Sequence, residues 1–133
     1  MLVAPAAGSA YVAVSESTFS GNAAAGMRIN DAGYASATGS TFSSNGSHGV
    51  VAVSAGGSAR VALDHVTGSL NLTSGLLANG PLAAFQLSVV TTSGNAYGLY
   101  PPIGGGQYVS YGGNRTSGNL NGDGASTSTQ APY

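Results

Sequence analysis

The chain contains no cysteine and no lysine, and charged residues make up only 5% of its 133 residues. Without cysteine, neither a disulfide framework nor a thiolate metal site is available. The formal net charge of −1 leaves no basic surface for nucleic acid. No apolar run reaches the ~18 residues that a membrane-spanning helix needs. We therefore expect no nucleic-acid partner, no membrane span, no metal and no cofactor.

Aliphatic and small polar residues make up most of the chain. Its hydrophobic fraction of 42% argues against disorder, because disordered chains are poor in hydrophobic residues and carry high net charge. The length predicts one domain. The first residues, Met1–Pro5, lack the basic and apolar segments of a signal peptide. We expect that the protein either stays inside the cell or begins after its signal.

Short runs of alternating residues indicate β-strands. The 22 glycines and the many β-branched residues leave no sustained helical period. Runs such as Tyr11–Val14, Arg60–Leu63 and Gln86–Val89 alternate instead, and turn residues bound each of them.

A Ser-x-Asn triplet recurs along the chain, and its asparagines are 23, 26, 24 and 24 residues apart. A period in this range is typical of a solenoid in which each repeat forms one coil. The sequence therefore predicts an all-β, right-handed parallel β-helix of about five coils. The asparagines expected to form a structural ladder along it are Asn22, Asn45, Asn71, Asn95 and Asn119.

Stacking explains why the same residue types recur. Equivalent residues of neighbouring coils lie ~4.8 Å apart, so stacked amides can hydrogen-bond along the column. Asn also tolerates the left-handed conformation of a sharp bend, which we expect it to adopt here. The glycine after each triplet, such as Gly49, predicts positive φ or a close backbone approach. Phe19 and Phe42 share a repeat position and should stack inside the coil.

Residues 12–22, followed by 25–29, resemble a bacterial right-handed β-helix repeat of the pectate-lyase-like superfamily. The ending, residues 108–124, resembles the closing coil of small secreted proteins of that group. The resemblance implies an extracellular or cell-surface location. Members of the group usually have further upstream coils and an export signal, so the chain is expected to be a C-terminal or shortened form.

The repeat register predicts coils that begin near residues 9, 34, 59, 84 and 107. The β-helix is expected over residues 1–122, with a polar C-terminal tail over 123–133. Nothing near the N-terminus resembles a cap, and an uncovered strand edge invites pairing with another chain. We therefore expect self-association through the uncapped end.

Reactive residues are sparse. The resemblance implies that lyase relatives use a basic residue with Ca²⁺-binding carboxylates, and that hydrolase relatives use clustered Asp residues. The chain shows neither pattern, which leaves Glu16, Asp64 and His65 as weak catalytic candidates. Asp64 and His65 are adjacent, so they point to opposite faces of a strand unless they lie at a bend. Glu16 and His65 fall in similar columns two coils apart.

Other polar and aromatic residues predict binding rather than catalysis. Exposed tyrosines can stack on sugar rings, and the candidates for this contact are Tyr97, Tyr100, Tyr108 and Tyr111. They can equally pack beneath the loop at Pro101. His48 is expected to be a solvent-exposed turn residue. A threonine precedes most triplets and predicts a column, but we expect single threonines beside the bends rather than the paired Thr-x-Thr ranks of ice-binding solenoids.

These observations favour a non-catalytic, secreted or cell-surface β-helix module with a structural or adhesive role and weak carbohydrate contact. One alternative is a polysaccharide lyase or glycoside hydrolase, or a fragment of such an enzyme. Another alternative is an ice-binding solenoid. Polysaccharide is the expected partner in the first two cases.

Overall fold

The chain winds as a β-solenoid of about five coils, each of which contributes one strand to each of three parallel sheets. The computed structural model describes residues 1–131, and this range contains no helix. The predicted all-β parallel solenoid is confirmed. Its coils begin at residues 10, 33, 59, 83 and 107, each within one residue of the predicted position.

Three sheets form the walls of the solenoid. Sheet A consists of β1 (Leu2–Val3), β4 (Met27–Ile29), β7 (His48–Val53), β10 (Ser74–Asn79) and β13 (Tyr97–Leu99). Sheet B consists of β2 (Ala10–Ser15), β5 (Gly33–Thr38), β8 (Ala59–Asp64), β11 (Ala83–Ser88), β14 (Gln107–Ser110) and β16 (Ser128–Thr129). Sheet C consists of β3 (Thr18–Ser20), β6 (Thr41–Ser43), β9 (Thr67–Ser69), β12 (Thr91–Ser93) and β15 (Arg115–Thr116).

The core is a set of stacked aliphatic and aromatic columns. Met27, Val50 and Leu76 lie in register in sheet A and are completely buried. The predicted aromatic stack is confirmed, because the Phe19 and Phe42 ring centroids lie 5.0 Å apart with 7° between the ring planes. Each coil therefore buries its inward residues only against the coils directly before and after it.

The asparagines form the predicted ladder. The Nδ2 of Asn22, Asn45, Asn71 and Asn95 donates to the Oδ1 of the next asparagine at 2.9, 2.9, 3.0 and 3.0 Å. The backbone N–H of each donates to the same oxygen. Every bond runs from one coil to the following coil, so the ladder has a direction.

The expectation that asparagine supplies the left-handed bend is wrong. Positive φ belongs instead to the middle residue of each triplet, with values of 67°, 54°, 55°, 67° and 69° at Gly21, Ser44, Leu70, Gly94 and Gly118. The middle residue turns the chain, and the asparagine that follows binds the neighbouring coils. The nearby glycine serves a close approach, since a Cβ on Gly49 would lie 2.6 Å from the Gly75 carbonyl oxygen.

The two ends of the solenoid differ. At the C-terminal end, the Asp123 carboxylate accepts the Asn119 Nδ2 at 2.9 Å, and β16 pairs with β14. Both lie in the segment predicted as a polar tail, of which residues 132–133 fall outside the described residues. At the N-terminal end, β1 covers only β4. Within residues 1–131, no strand pairs with β2 or β3 on their N-terminal sides.

Candidate ligand-binding surface

The outer face of sheet B carries the most varied set of side chains on the solenoid. Its outward positions form three columns, because alternate residues of parallel strands in register point to the same side. The first column contains Tyr11, Tyr34, Arg60, Ala84 and Gln107. The second contains Ala13, Ser36, Ala62, Gln86 and Val109. The third contains Ser15, Thr38, Asp64 and Ser88.

This surface, which we call the sheet B groove, has small residues along the first part of its middle column, and tyrosine, arginine and glutamine side chains lie along one side of it. Alanine and serine dominate the second column up to Ala62. Arg60, Gln86, Gln107, Tyr111 and Gln130 line a shallow pocket farther along the face. The groove combines apolar floor with amide, hydroxyl and guanidinium groups, so it can contact a polar ligand along several coils.

An aromatic pair lies at the N-terminal end of the groove. The Tyr11 and Tyr34 rings are stacked, with centroids 4.8 Å apart and 12° between the ring planes. Tyr11 is 77% exposed. The column continues to Arg60, so the platform and a cation lie in neighbouring coils. This pair was not predicted from the sequence, although the two tyrosines are 23 residues apart, a separation that matches the repeat period and predicts one column.

Asp64 and His65 contact each other at the rim of the groove. His65 Nδ1 lies 3.0 Å from Asp64 Oδ1. Adjacent residues can make this contact only at a bend in the chain. His65 lies at such a bend, with a φ of 51°. Hydrogen bonds from the side chains of His65 and Ser88 lower the pKa of Asp64. The His65 side chain is exposed and the Asp64 side chain is about half exposed, so the pair is open to solvent and to any ligand in the groove.

Glu16 lies in the same column as His65, as expected. The Glu16 N–H donates to the second coil, just before Gly39, and the Gly39 N–H donates to the third coil, just before His65. Gly39 therefore lies between the two candidates. Glu16, Gly39 and His65 all have positive φ. Within residues 1–131, no group of three His, Asp or Glu side chains is arranged to hold a metal ion. The three catalytic candidates therefore share one edge of sheet B without forming a single cluster.

The four candidate tyrosines separate into three locations. Tyr108 is completely buried, so its proposed contact with sugar is wrong. Its hydroxyl accepts from the Ala78 N–H at 2.9 Å and donates to the Tyr100 carbonyl oxygen at 2.9 Å. Burial raises the pKa of Tyr108. Tyr97 and Tyr100 lie edge to face on sheet A, with centroids 4.9 Å apart, and Tyr111 lines the sheet B groove.

His48 is half-buried in β7, and the expectation of a solvent-exposed turn residue is wrong. Its Nδ1 lies 2.6 Å from Ser74 Oγ, which itself donates to the Leu76 carbonyl oxygen at 3.0 Å. Its ring also meets Tyr100 edge to face at 6.1 Å. Desolvation, followed by the positive charge of Arg28, lowers the pKa of His48. The neutral imidazole is thus a packed part of sheet A.

Sheet C presents a single column of threonines, as expected, and a column of serines beside it. Each of four strands places a threonine and a serine two residues apart on its outer side. The threonines are Thr18, Thr41, Thr67 and Thr91, and the serines are Ser20, Ser43, Ser69 and Ser93. The pairs arise because the serine of each Ser-x-Asn triplet follows the threonine by two positions and shares its face.

No protein-family model, curated protein or solved structure matches the chain. In the part of the chain that the structure describes, no helix has the length and hydrophobicity to cross a membrane.

Proposed function

We propose that this protein is a non-catalytic, secreted or cell-surface solenoid that binds a polysaccharide along the sheet B groove. The stacked Tyr11–Tyr34 pair, in which Tyr11 is exposed, carries this proposal. Aromatic rings offer apolar faces with polar tips, which suits the apolar faces and hydroxyl rims of sugars. Structural or adhesive attachment follows from such contact without any chemical step.

The ligand chemistry follows from the residues beyond the pair. Gln86 and Gln107 can each donate to and accept from sugar hydroxyls, while Arg60 only donates. Small residues along the middle column allow a ligand to lie close to the sheet. The columns follow the solenoid axis, so an extended chain can contact several coils at once.

We further propose that the solenoid is right-handed and related to the pectate-lyase-like superfamily. The handedness is supported by the strong preference of parallel crossover connections for the right-handed sense. The relationship is supported by the resemblance of the repeat around Asn22 and of the closing coil. The lyase or hydrolase alternative would use Asp64 and His65 at the groove rim, with Glu16 on the same edge.

Titration calorimetry with neutral and acidic oligosaccharides tests binding to the groove. We expect Tyr34→Ala to weaken the affinity about 10-fold, equivalent to ~1.4 kcal/mol, because it removes one of the two stacked rings. The matched control is Tyr97→Ala, which removes a tyrosine from sheet A and should leave the affinity unchanged. Equal losses in the two variants, or no binding to any glycan, would contradict the proposal.

The same glycans separate binding from catalysis. Under the proposal, incubation releases neither reducing nor unsaturated ends. Release that disappears in His65→Ala would replace the proposal with the enzyme alternative.

A second candidate function is ice binding, which the hydroxyl ranks of sheet C favour. Their spacing is about 4.8 Å between coils and about 6.6 Å along each strand. A regular array of this kind can hold ordered water. The measurement is thermal hysteresis, which should fall strongly in Thr41→Lys if sheet C contacts ice. If the unmodified protein shows no thermal hysteresis, this function is ruled out.

A further inference from the structure

Two charged residues lie on opposite sides of the middle column of the sheet B groove. Arg60, Ala62 and Asp64 are alternate residues of β8 and belong to the first, second and third columns. The Cα atoms of Arg60 and Asp64 are therefore about 13 Å apart, at ~3.3 Å per residue. The six strands of sheet B contain no other charged residue.

The groove is continuous between the two charges. A hollow of about 460 Å³ includes Arg60 in its wall, and a second hollow of about 250 Å³ includes Asp64. Both hollows are also lined by Ala62, Gln86 and Tyr111, so they meet over the middle column. A ligand that lies along this column therefore has the guanidinium on one side and the carboxylate on the other.

Arg60 and Asp64 do not pair with each other or with another permanently charged side chain. In the part of the chain that the structure describes, the only acid–base contact at ion-pairing distance is that of Asp64 with His65. The exposed Arg60 therefore has no carboxylate partner there. Hydrogen bonds from the side chains of His65 and Ser88 hold the pKa of Asp64 below its ordinary value, which keeps this carboxyl group ionised.

A ligand that covers the middle column removes water from both charges. The loss of hydration costs free energy unless each charge gains a partner of opposite sign. A neutral ligand offers no such partner, and a ligand with one kind of charge compensates one side only. The groove therefore favours a ligand with an acidic group on the Arg60 side and a cationic group on the Asp64 side.

We propose that the polysaccharide of the sheet B groove is zwitterionic, with an acidic group that pairs with Arg60 and an unacetylated amino group that pairs with Asp64. This inference rests on the proposed function, because it requires a glycan in the groove. The guanidinium can bind a carboxylate through two parallel hydrogen bonds, and an ammonium group can donate to the Asp64 carboxylate. The stacked Tyr11–Tyr34 pair contacts sugar rings in the two coils before these charges.

Three oligosaccharides with one backbone test the two charges separately by titration calorimetry at neutral pH. Hyaluronan oligosaccharides carry carboxylates only, and their de-N-acetylated form carries both carboxylates and amines. De-N-acetylated chains whose carboxylates have been reduced to alcohols carry amines only. We expect the form with both charges to bind about 10-fold more tightly than either of the others, or better. If either form with a single kind of charge bound as tightly, the proposal would be overturned.

Arg60→Gln and Asp64→Asn each remove one charge and keep a polar side chain. Arg60→Gln should weaken binding of the form with both charges about 10-fold, without weakening that of the amine-only form. Asp64→Asn should weaken binding of the form with both charges to a similar extent, without weakening that of the carboxylate-only form. The matched control is Arg28→Gln, which should alter none of these affinities because Arg28 lies on sheet A. An affinity for the form with both charges that survives Arg60→Gln and Asp64→Asn would contradict the pairing.

These measurements also separate the zwitterionic preference from glycan binding itself. If Tyr34→Ala weakens binding of all three forms while their charges make no difference, the groove binds glycans and only the zwitterionic preference is wrong. If none of the three forms binds, and no neutral glycan binds either, both proposals are wrong.

Discussion

Replacing Asn71 by alanine is expected to lower the free energy of unfolding by about 3–5 kcal/mol, because buried polar partners lose their hydrogen bonds. Asn71 Oδ1 accepts from the backbone and side-chain N–H groups of Asn45 at 3.1 and 2.9 Å. Its Nδ2 donates to the Phe42 carbonyl oxygen and to Asn95 Oδ1, each at 3.0 Å. Both neighbouring asparagines are as deeply buried as Asn71. Urea unfolding followed by circular dichroism measures the change.

Asn22→Ala is the matched control at the exposed start of the ladder. Its side chain makes one of these bonds, from Nδ2 to Asn45 Oδ1 at 2.9 Å. We expect a loss of about 1 kcal/mol, the usual net value of one hydrogen bond. Similar losses in Asn22→Ala and Asn71→Ala would mean that the ladder adds little beyond the local bends.

Tyr108→Ala should be about as damaging as Asn71→Ala, with a loss of at least ~4 kcal/mol. Removing a buried aromatic ring typically costs about 3–5 kcal/mol, and the cavity here would open beside Phe85. The Tyr108 and Phe85 rings are stacked, with centroids 5.6 Å apart. The hydroxyl also accepts the Ala78 N–H, which the truncation leaves without its partner. Thermal and urea unfolding should both report the loss.

Tyr108→Phe separates the ring from its hydroxyl. The ring packing remains, and the orphaned Ala78 N–H should cost about 1–3 kcal/mol. If Tyr108→Ala left stability unchanged but weakened glycan binding, the assignment of this residue to the core would be wrong.

The sequence predicted the coils and the ladder because stacking imposes the same chemistry at a fixed spacing. Five Ser-x-Asn triplets place an amide where the amides of two neighbouring coils can reach it, and few other side chains can both donate and accept there. The position of the bend was less visible. The middle residue of the triplet is glycine in three coils but Ser44 and Leu70 in the others. The left-handed conformation is therefore not marked by one residue type in the sequence.

The candidate site was harder to predict, because it depends on which side of a strand each residue faces. Tyr108 and Tyr111 are near neighbours in sequence, yet one lies in the core and the other lines the groove. His48 was assigned to a turn because it follows the Asn45 bend. The structure places it at the start of β7, beside Ser74 and Tyr100. Its partners come from coils 26 and 52 residues later, which a local view of the turn does not bring together.

The shared register of the coils also determines which changes in chain length the fold can tolerate during evolution. An inserted or deleted residue within a strand would shift the following residues out of register, whereas the turns already accommodate spacings of 23 to 26 residues between ladder asparagines. Loss or duplication of a whole repeat, by contrast, restores the same neighbours on both sides of the junction, because each coil contacts only adjacent coils. Variation by complete repeats is therefore the course of divergence that this architecture tolerates best.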